Sequence, residues 1–209
     1  MGTTCFVHTC DSLSGWTIDP AIQAALDTIT KKQGAASIKF TKPVSPGGGK
    51  DCYISAAQCD NYLGYWIYLA MTQEMAGLSL FTRNAAGSLA GESFLYSSPP
   101  TITMGRFLYT IDDGILSGTR TQITNNAWHW IEKYYDPVQP FVDWHDNGIA
   151  RGSIVGRNVK NYTHFYLEGA AADPAWITWL DYIRIYSQYE YPPIVPPTKK
   201  LHPFWKLKT

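Results

Sequence analysis

Short runs in which apolar and polar residues alternate recur along the chain: "AASIKF", "YLGYWIYLAM", "GLSLFTR", "GRFLYTI", "WHWIEKYY", "PFVDWHDNG" and "WLDYIRIYS". A period of two puts successive side chains on opposite faces of a strand, so the pattern predicts a series of half-buried strands. Between the runs, "SPGGGKD", "RNAAGS", "SSPP" and "DDG" supply the backbone angles of turns. Helical spacing occurs in "PAIQAALDTITKK", where Ile22, Leu26 and Ile29 recur, and there a helix and a pair of strands fit equally well.

The stretch "NAWHWIEKYYDPVQPFVDWHDNG", Asn126 to Gly148, carries the pattern furthest. Alternation puts Trp128, Trp130, Glu132 and Tyr134 on one face and His129, Ile131, Lys133 and Tyr135 on the other. "DPVQP" turns the chain, and Phe141, Asp143 and His145 then stand opposite Val142 and Trp144 before a turn at Asp146, Asn147 and Gly148. A hairpin is predicted.

Composition supports the same picture. Eight Trp, fourteen Tyr and eight Phe with 16% charged residues suit pleated, half-buried surfaces, and 209 residues suffice for one all-β unit. The expected fold is all-β, an antiparallel jelly-roll β-sandwich over residues 1–189 with an extended C-terminal arm over residues 190–209. Five prolines between Pro192 and Pro203 exclude helix and central strand from the arm. Its four Lys and one acid give it +3, which leaves the body at 13 − 16 = −3. A net charge of zero gives no general attraction to nucleic acid, and no apolar run is long enough to span a bilayer. Phe204, Trp205 and Leu207, with Lys199 and Lys200, are expected to dock the arm on a second copy or on another virion or surface protein. The start "MGTTCFVHTCDSLSGW" lacks the regions of a signal peptide, so the expected location is extracellular or virion, reached by lysis or after removal of a signal.

Cys5 with Cys10 and Cys52 with Cys59 form two close pairs, and three connectivities stay open. At least one close pair is expected to be bridged. Zinc at Cys5, His8 and Cys10 is disfavoured, because the second pair is spaced too widely for a structural zinc site.

Together with "CDSLSGW" and "QGAASIKF" near the start and "WLDYIRIY" near the end, the hairpin resembles the concanavalin A-like, laminin-G-like jelly rolls over residues 5 to 187. The resemblance implies two packed antiparallel sheets, with the last strand returning beside the first. It also implies a structural calcium at Asp11 and Asp181 and no other cofactor. Lectins, carbohydrate-binding modules, glycosidases, polysaccharide lyases and structural modules share that architecture.

Retaining glycosidases of this type need E-x-D-x-x-E on one strand, and no E-x-D occurs in the chain. "TQIT" and "FYLEGAA" are similar to the alginate-lyase patterns Q-I-H and Y-F-K-x-G-x-Y, but Thr124, Leu167 and Ala171 stand where histidine, lysine and tyrosine are required. A chain without catalytic activity is therefore expected. Indoles can cover the apolar face of a sugar while polar neighbours bond its hydroxyls. Trp144, beside His145, Asp146 and Asn147, and Trp176 are the expected glycan contacts, whereas Trp16, Trp128 and Trp179 are expected to pack. The leading reading is a structural or adhesion module of an external assembly such as a phage or virus particle, with glycan binding. A carbohydrate-binding module or lectin domain of a secreted polysaccharide-degrading enzyme is the alternative, and a polysaccharide lyase the third.

Overall fold

Strand propensity and period-two alternation produce two antiparallel sheets packed face to face. The computed structural model describes residues 3–43, 50–72, 76–85, 87–98, 101–110, 114–136, 138, 141–155, 161–169 and 175–188. The first sheet runs β14 (Ile149–Val155), β13 (Phe141–Asp146), β12 (Trp128–Tyr135), β6 (Tyr62–Ala70), β16 (Trp176–Tyr186), β4 (Ser37–Lys42), β3 (Gln23–Asp27), and β1 (Thr4–His8) also pairs with β16. The second runs β10 (Gly114–Ser117), β9 (Thr101–Thr110), β8 (Gly87–Ser98), β7 (Gly77–Asn84), β15 (His164–Gly169), β5 (Lys50–Ser55), β2 (Trp16–Ile18), with β11 (Thr121–Thr124) also on β9. This is the predicted jelly-roll sandwich, and the closing strand returns beside the first as the resemblance implied.

The predicted hairpin forms between β12 and β13, with Lys133 opposite Trp144 and Tyr134 opposite Asp143. Its inward residues are those the alternation assigned: Ile131, Tyr135, Val142 and Trp144 join a core built with Phe40, Leu63, Tyr65, Leu80, Phe94, Phe165 and Ile185. Full burial of each large apolar side chain contributes roughly 1.5–3 kcal/mol.

The ambiguous segment resolves as strand β3 and a turn. Ile22 is buried, but Leu26 is 46% and Ile29 90% exposed, so the three residues share no buried face. Asp27 Oδ1 accepts from the backbone N–H groups of Ile29 and Thr30 and closes that turn.

Candidate functional site

Both sheets carry aromatic residues on their outer faces, with opposite results. On the first sheet, Trp66, Trp130 and Tyr186 form a second apolar cluster beside Tyr62, Trp128 and Tyr182. The Lys32 ammonium lies 4.7 Å from the Trp66 ring, and the Arg184 guanidinium lies 4.2 Å from the Tyr186 ring and 5.6 Å from that of Trp130. Tyr186 donates to the buried Glu132 carboxylate. The centre of that face is thus sealed by its own side chains.

The outer face of the second sheet is partly exposed. Leu80, Leu167 and Cys52 point into the core, so their neighbours point out. Register places Tyr53, Tyr166, Phe81, Gly91 and Phe107 in one row across β5, β15, β7, β8 and β9. Tyr53 and Tyr166 are stacked with centroids 4.8 Å apart, Tyr166 and Phe81 with centroids 5.3 Å apart, and Phe107 follows 6.4 Å from Phe81. At these separations coplanar rings would overlap, so the rings lean on one another and form a shingled ridge in which Tyr53, Tyr166 and Phe107 are half-exposed and Phe81, 3% exposed, lies buried between them. Gly91 makes room for it, because a Cβ there would come within 2.5 Å of both Phe107 Cζ and Phe81 Cβ.

Polar groups flank the ridge on both sides. Along one side stand Asp51, Glu168, Ser79 and Ser93, opposite one another in the register; along the other stand Ser55, His164 and Arg83. The Arg83 guanidinium lies 5.4 Å from the Tyr166 ring centroid. Burial pushes the Glu168 carboxyl above its ordinary range, and Asp51 beside it adds repulsion. Asp51 is raised by burial, with Asp19 adding to the effect and Arg83 opposing it. Perturbed carboxyls beside half-exposed aromatic rings mark a candidate binding surface. Gln122 of "TQIT" reaches the rim, where its Nε2 donates to Thr103 Oγ1.

The residues chosen from the sequence lie elsewhere, and the two tryptophans are corrections. Trp144 is 0% exposed and donates from Nε1 to Glu92 Oε2, 3.1 Å away in the core. Trp176 is 1% exposed. A sugar has no access to either ring. Asp146 is buried and accepts from His129 Nδ1 at 2.9 Å and Arg151 Nη2 at 2.8 Å. Burial works against its charge, yet these two partners hold its carboxyl below the ordinary range. Asn147, at φ 49°, accepts the Trp130 N–H on Oδ1 and so fixes the turn. His145 lies half-exposed, 3.9 Å from Asp143, on the outer face of the first sheet. Turn chemistry and core packing account for Trp144, Asp146 and Asn147. Phe204, Trp205, Leu207, Lys199 and Lys200 lie outside the described residues.

The cysteines form a bridge that crosses the two sequence pairs. Cys5 is bonded to Cys59, while Cys10 and Cys52 are free and buried, which corrects the expectation of a bridged close pair. The chain brings β1 beside the segment before β6, so distant partners meet. Asp11 Oδ1 accepts from the N–H groups of Ala35 and Ala36, and Asp181 Oδ2 from those of Lys32 and Gln33. These two oxygens face hydrogen-bond donors, whereas calcium needs six to eight oxygens turned toward it. Among the described residues no group of three or more His, Cys, Asp or Glu side chains could hold a metal ion.

No family model matches the sequence, and no curated protein does either. Solved structures do match the fold. An endo-β-1,4-glucuronan lyase from the fungus Trichoderma reesei superposes with a TM-score of 0.62 at 10% identity, covering 89% of this chain and 96% of its own. The β-glucanase of Bacillus licheniformis gives 0.60 at 12% identity, covering 88% and 98%. The CBM2 module of the evolved Dit of Lactobacillus casei BL23 phage J-1 gives 0.62 at 9% identity, covering 91% and 98%. Two of these three are enzymes, which corrects the expectation of a chain without catalysis: enzymes share its fold, and at 10–12% identity the likeness is one of fold alone. The fold is the jelly-roll sandwich of concanavalin A-like type, in a form found in polysaccharide lyases, glucanases and a phage carbohydrate-binding module alike.

Proposed function

We propose that the chain binds a polysaccharide along the ridge of Tyr53, Tyr166 and Phe107 on the second sheet, with the buried Phe81 ring supporting it from within the row. The observation that carries the reading is the ridge itself: three half-exposed aromatic rings packed about the buried Phe81, with both flanks lined by polar side chains. Such a surface packs against the C–H faces of successive sugars while Arg83, His164, Ser79 and Ser93 bond their hydroxyls. Asp51 and Glu168, side by side, favour neutral or amino-bearing sugars over uronates.

The finer reading is a module of an external assembly, such as a phage or virus particle, or of a secreted carbohydrate-active protein. Likeness to the phage Dit module supports the first and likeness to the lyase and the glucanase the second. On the first, the arm of residues 190–209 docks through Phe204, Trp205 and Leu207 on a neighbouring copy or particle protein, and a chain lacking residues 192–209 stays monomeric by native mass measurement.

Binding is tested by affinity electrophoresis against neutral, amino-bearing and uronate polysaccharides. Tyr166→Ala with Tyr53→Ala should weaken binding at least about tenfold, in line with the loss of one or two stacked rings. Equal binding by the double variant, or none by the parent across the panel, refutes the reading. Assaying the same mixtures for reducing ends and unsaturated products shows whether the bound chain is also cleaved.

A further inference from the structure

At the edge of the sandwich where Gly118, just before β11, meets Ile154 of β14, an arginine is enclosed without enough partners. Arg106, on β9, is 2% exposed. Its Nη2 donates to Thr119 Oγ1 at 2.6 Å, while Nε and Nη1 have no hydrogen-bond partner among the described residues. Arg151 of β14 adds a second guanidinium. Its Nη2 donates to Asp146 Oδ2, and its Nε is likewise buried and unpartnered.

Burial lowers the pKa of Arg106, Arg151 lowers it further, and Asp143 opposes them. Two like charges with three unpartnered donor nitrogens are costly to enclose unless an anion joins them. The approach to Arg106 Nη1 runs past a glycine. Gly152, at φ 102°, has no side chain, and its open Cβ position lies 3.5 Å from Arg106 Nη1. At Gly118 the Ile154 side chain, 3.0 Å from the Cβ position, closes the other side near Arg106 Nε.

We propose that Arg106 and Arg151 form a binding site for a single oxyanion: a carboxylate, sulfate or phosphate group. The same chemistry is offered by a free inorganic ion and by the charged substituent of a uronate or sulfated glycan. The site lies between the sheets at their edge, apart from the ridge, so it stands or falls separately from sugar binding there.

The test is thermal unfolding of the full chain with sodium sulfate, sodium phosphate or oligoglucuronate, against sodium chloride at matched ionic strength. At roughly a hundredfold excess over the dissociation constant, the midpoint should rise by about 5–10 °C. Arg151→Gln, at a half-exposed position, should keep the fold and lose the rise, and Arg106→Gln should lose it where it folds. A rise with the inorganic ions assigns the site to free anions, and a rise with the oligosaccharide alone assigns it to glycan substituents. An equal rise in Arg151→Gln, or none in the parent with any of the three, overturns the proposal.

Discussion

Trp144 on β13 donates its indole N–H to Glu92 on β8, 3.1 Å away, and so joins the two sheets through the middle of the core. Lys133 of β12 reaches the same carboxylate oxygen at 3.3 Å, with both charged side chains fully buried. Burial raises Glu92 and lowers Lys133, and each charge works against the shift in the other. Removing one partner strands the other. Lys133→Met should therefore cost about 3–5 kcal/mol in urea unfolding. Adding Glu92→Leu should recover part of that loss, and strictly additive losses would show that the pair is not coupled.

Trp144→Ala should destabilise the chain by about 3–5 kcal/mol, and Trp144→Phe, which mainly removes the hydrogen bond to Glu92, by about 1–3 kcal/mol. Glycan affinity of the folded variants should stay at the parent value. A selective loss of affinity with stability unchanged would put Trp144 back at the sugar.

Much of the fold is legible in the sequence because alternation was strong where one face is buried. "FVDWHD" follows the pattern residue by residue, with Val142 and Trp144 inward. β8 is not legible, since "GSLAGESFLYSS" mixes small and polar residues and turns a glutamate inward toward a lysine from the other sheet. The ridge is not legible for a different reason. Its rings come from four strands far apart in sequence, so only the register brings Tyr53 beside Tyr166 and Phe81. A signal was present in "HFYLEG", where His164, Tyr166 and Glu168 alternate with apolar residues and mark one polar, aromatic face. Trp144 misled because closeness to a polar turn says nothing about which face of the strand a side chain occupies.

Intact mass should show one disulfide, and peptide mapping should place it at Cys5 and Cys59. Cys10 and Cys52 should alkylate only after unfolding, since both are buried and burial pushes the Cys52 thiol up to about 11. Cys5→Ser with Cys59→Ser should lower stability by about 2–4 kcal/mol. Rapid alkylation of native protein would contradict the burial.

Asp181 gives a pH signature. Burial raises its carboxyl to about 6, with Asp11 adding to the rise and the N–H groups of Gln33 and Lys32 opposing it. A raised carboxyl favours the fold while protonated, so this contribution is complete below about pH 4 and is lost as pH climbs through 6. Asp181→Asn should remove that decline, a difference of up to about 3 kcal/mol between the two stability curves. Parallel curves from pH 4 to 7 would contradict the assignment.

Asp51 and Glu168 should make recognition along the ridge depend on pH. Both are raised by burial, so the flank gains its negative charge at higher pH than ordinary carboxyls do. Retention of a uronate polysaccharide should fall as that charge appears, while that of a neutral one should hold steady. Asp51→Asn with Glu168→Gln should abolish the difference, and its persistence in the double variant would assign it to other groups.

The pairing of β1 with β16 sets how the sandwich carries mechanical load. Thr4 sits opposite Tyr186, and the Ser187 N–H donates to the Thr3 carbonyl, so the chain enters and leaves the two strands at the same end. Tension applied through both flanking segments would open these hydrogen bonds one after another, as a zipper opens, rather than shear them together. Cys5 stops that peeling one residue into β1, because its link to Cys59 passes the pull to the segment that enters β6 in the middle of the first sheet. A tether on this chain would then draw on a central strand of the sheet, and under reducing conditions the same pull would strip β1 away.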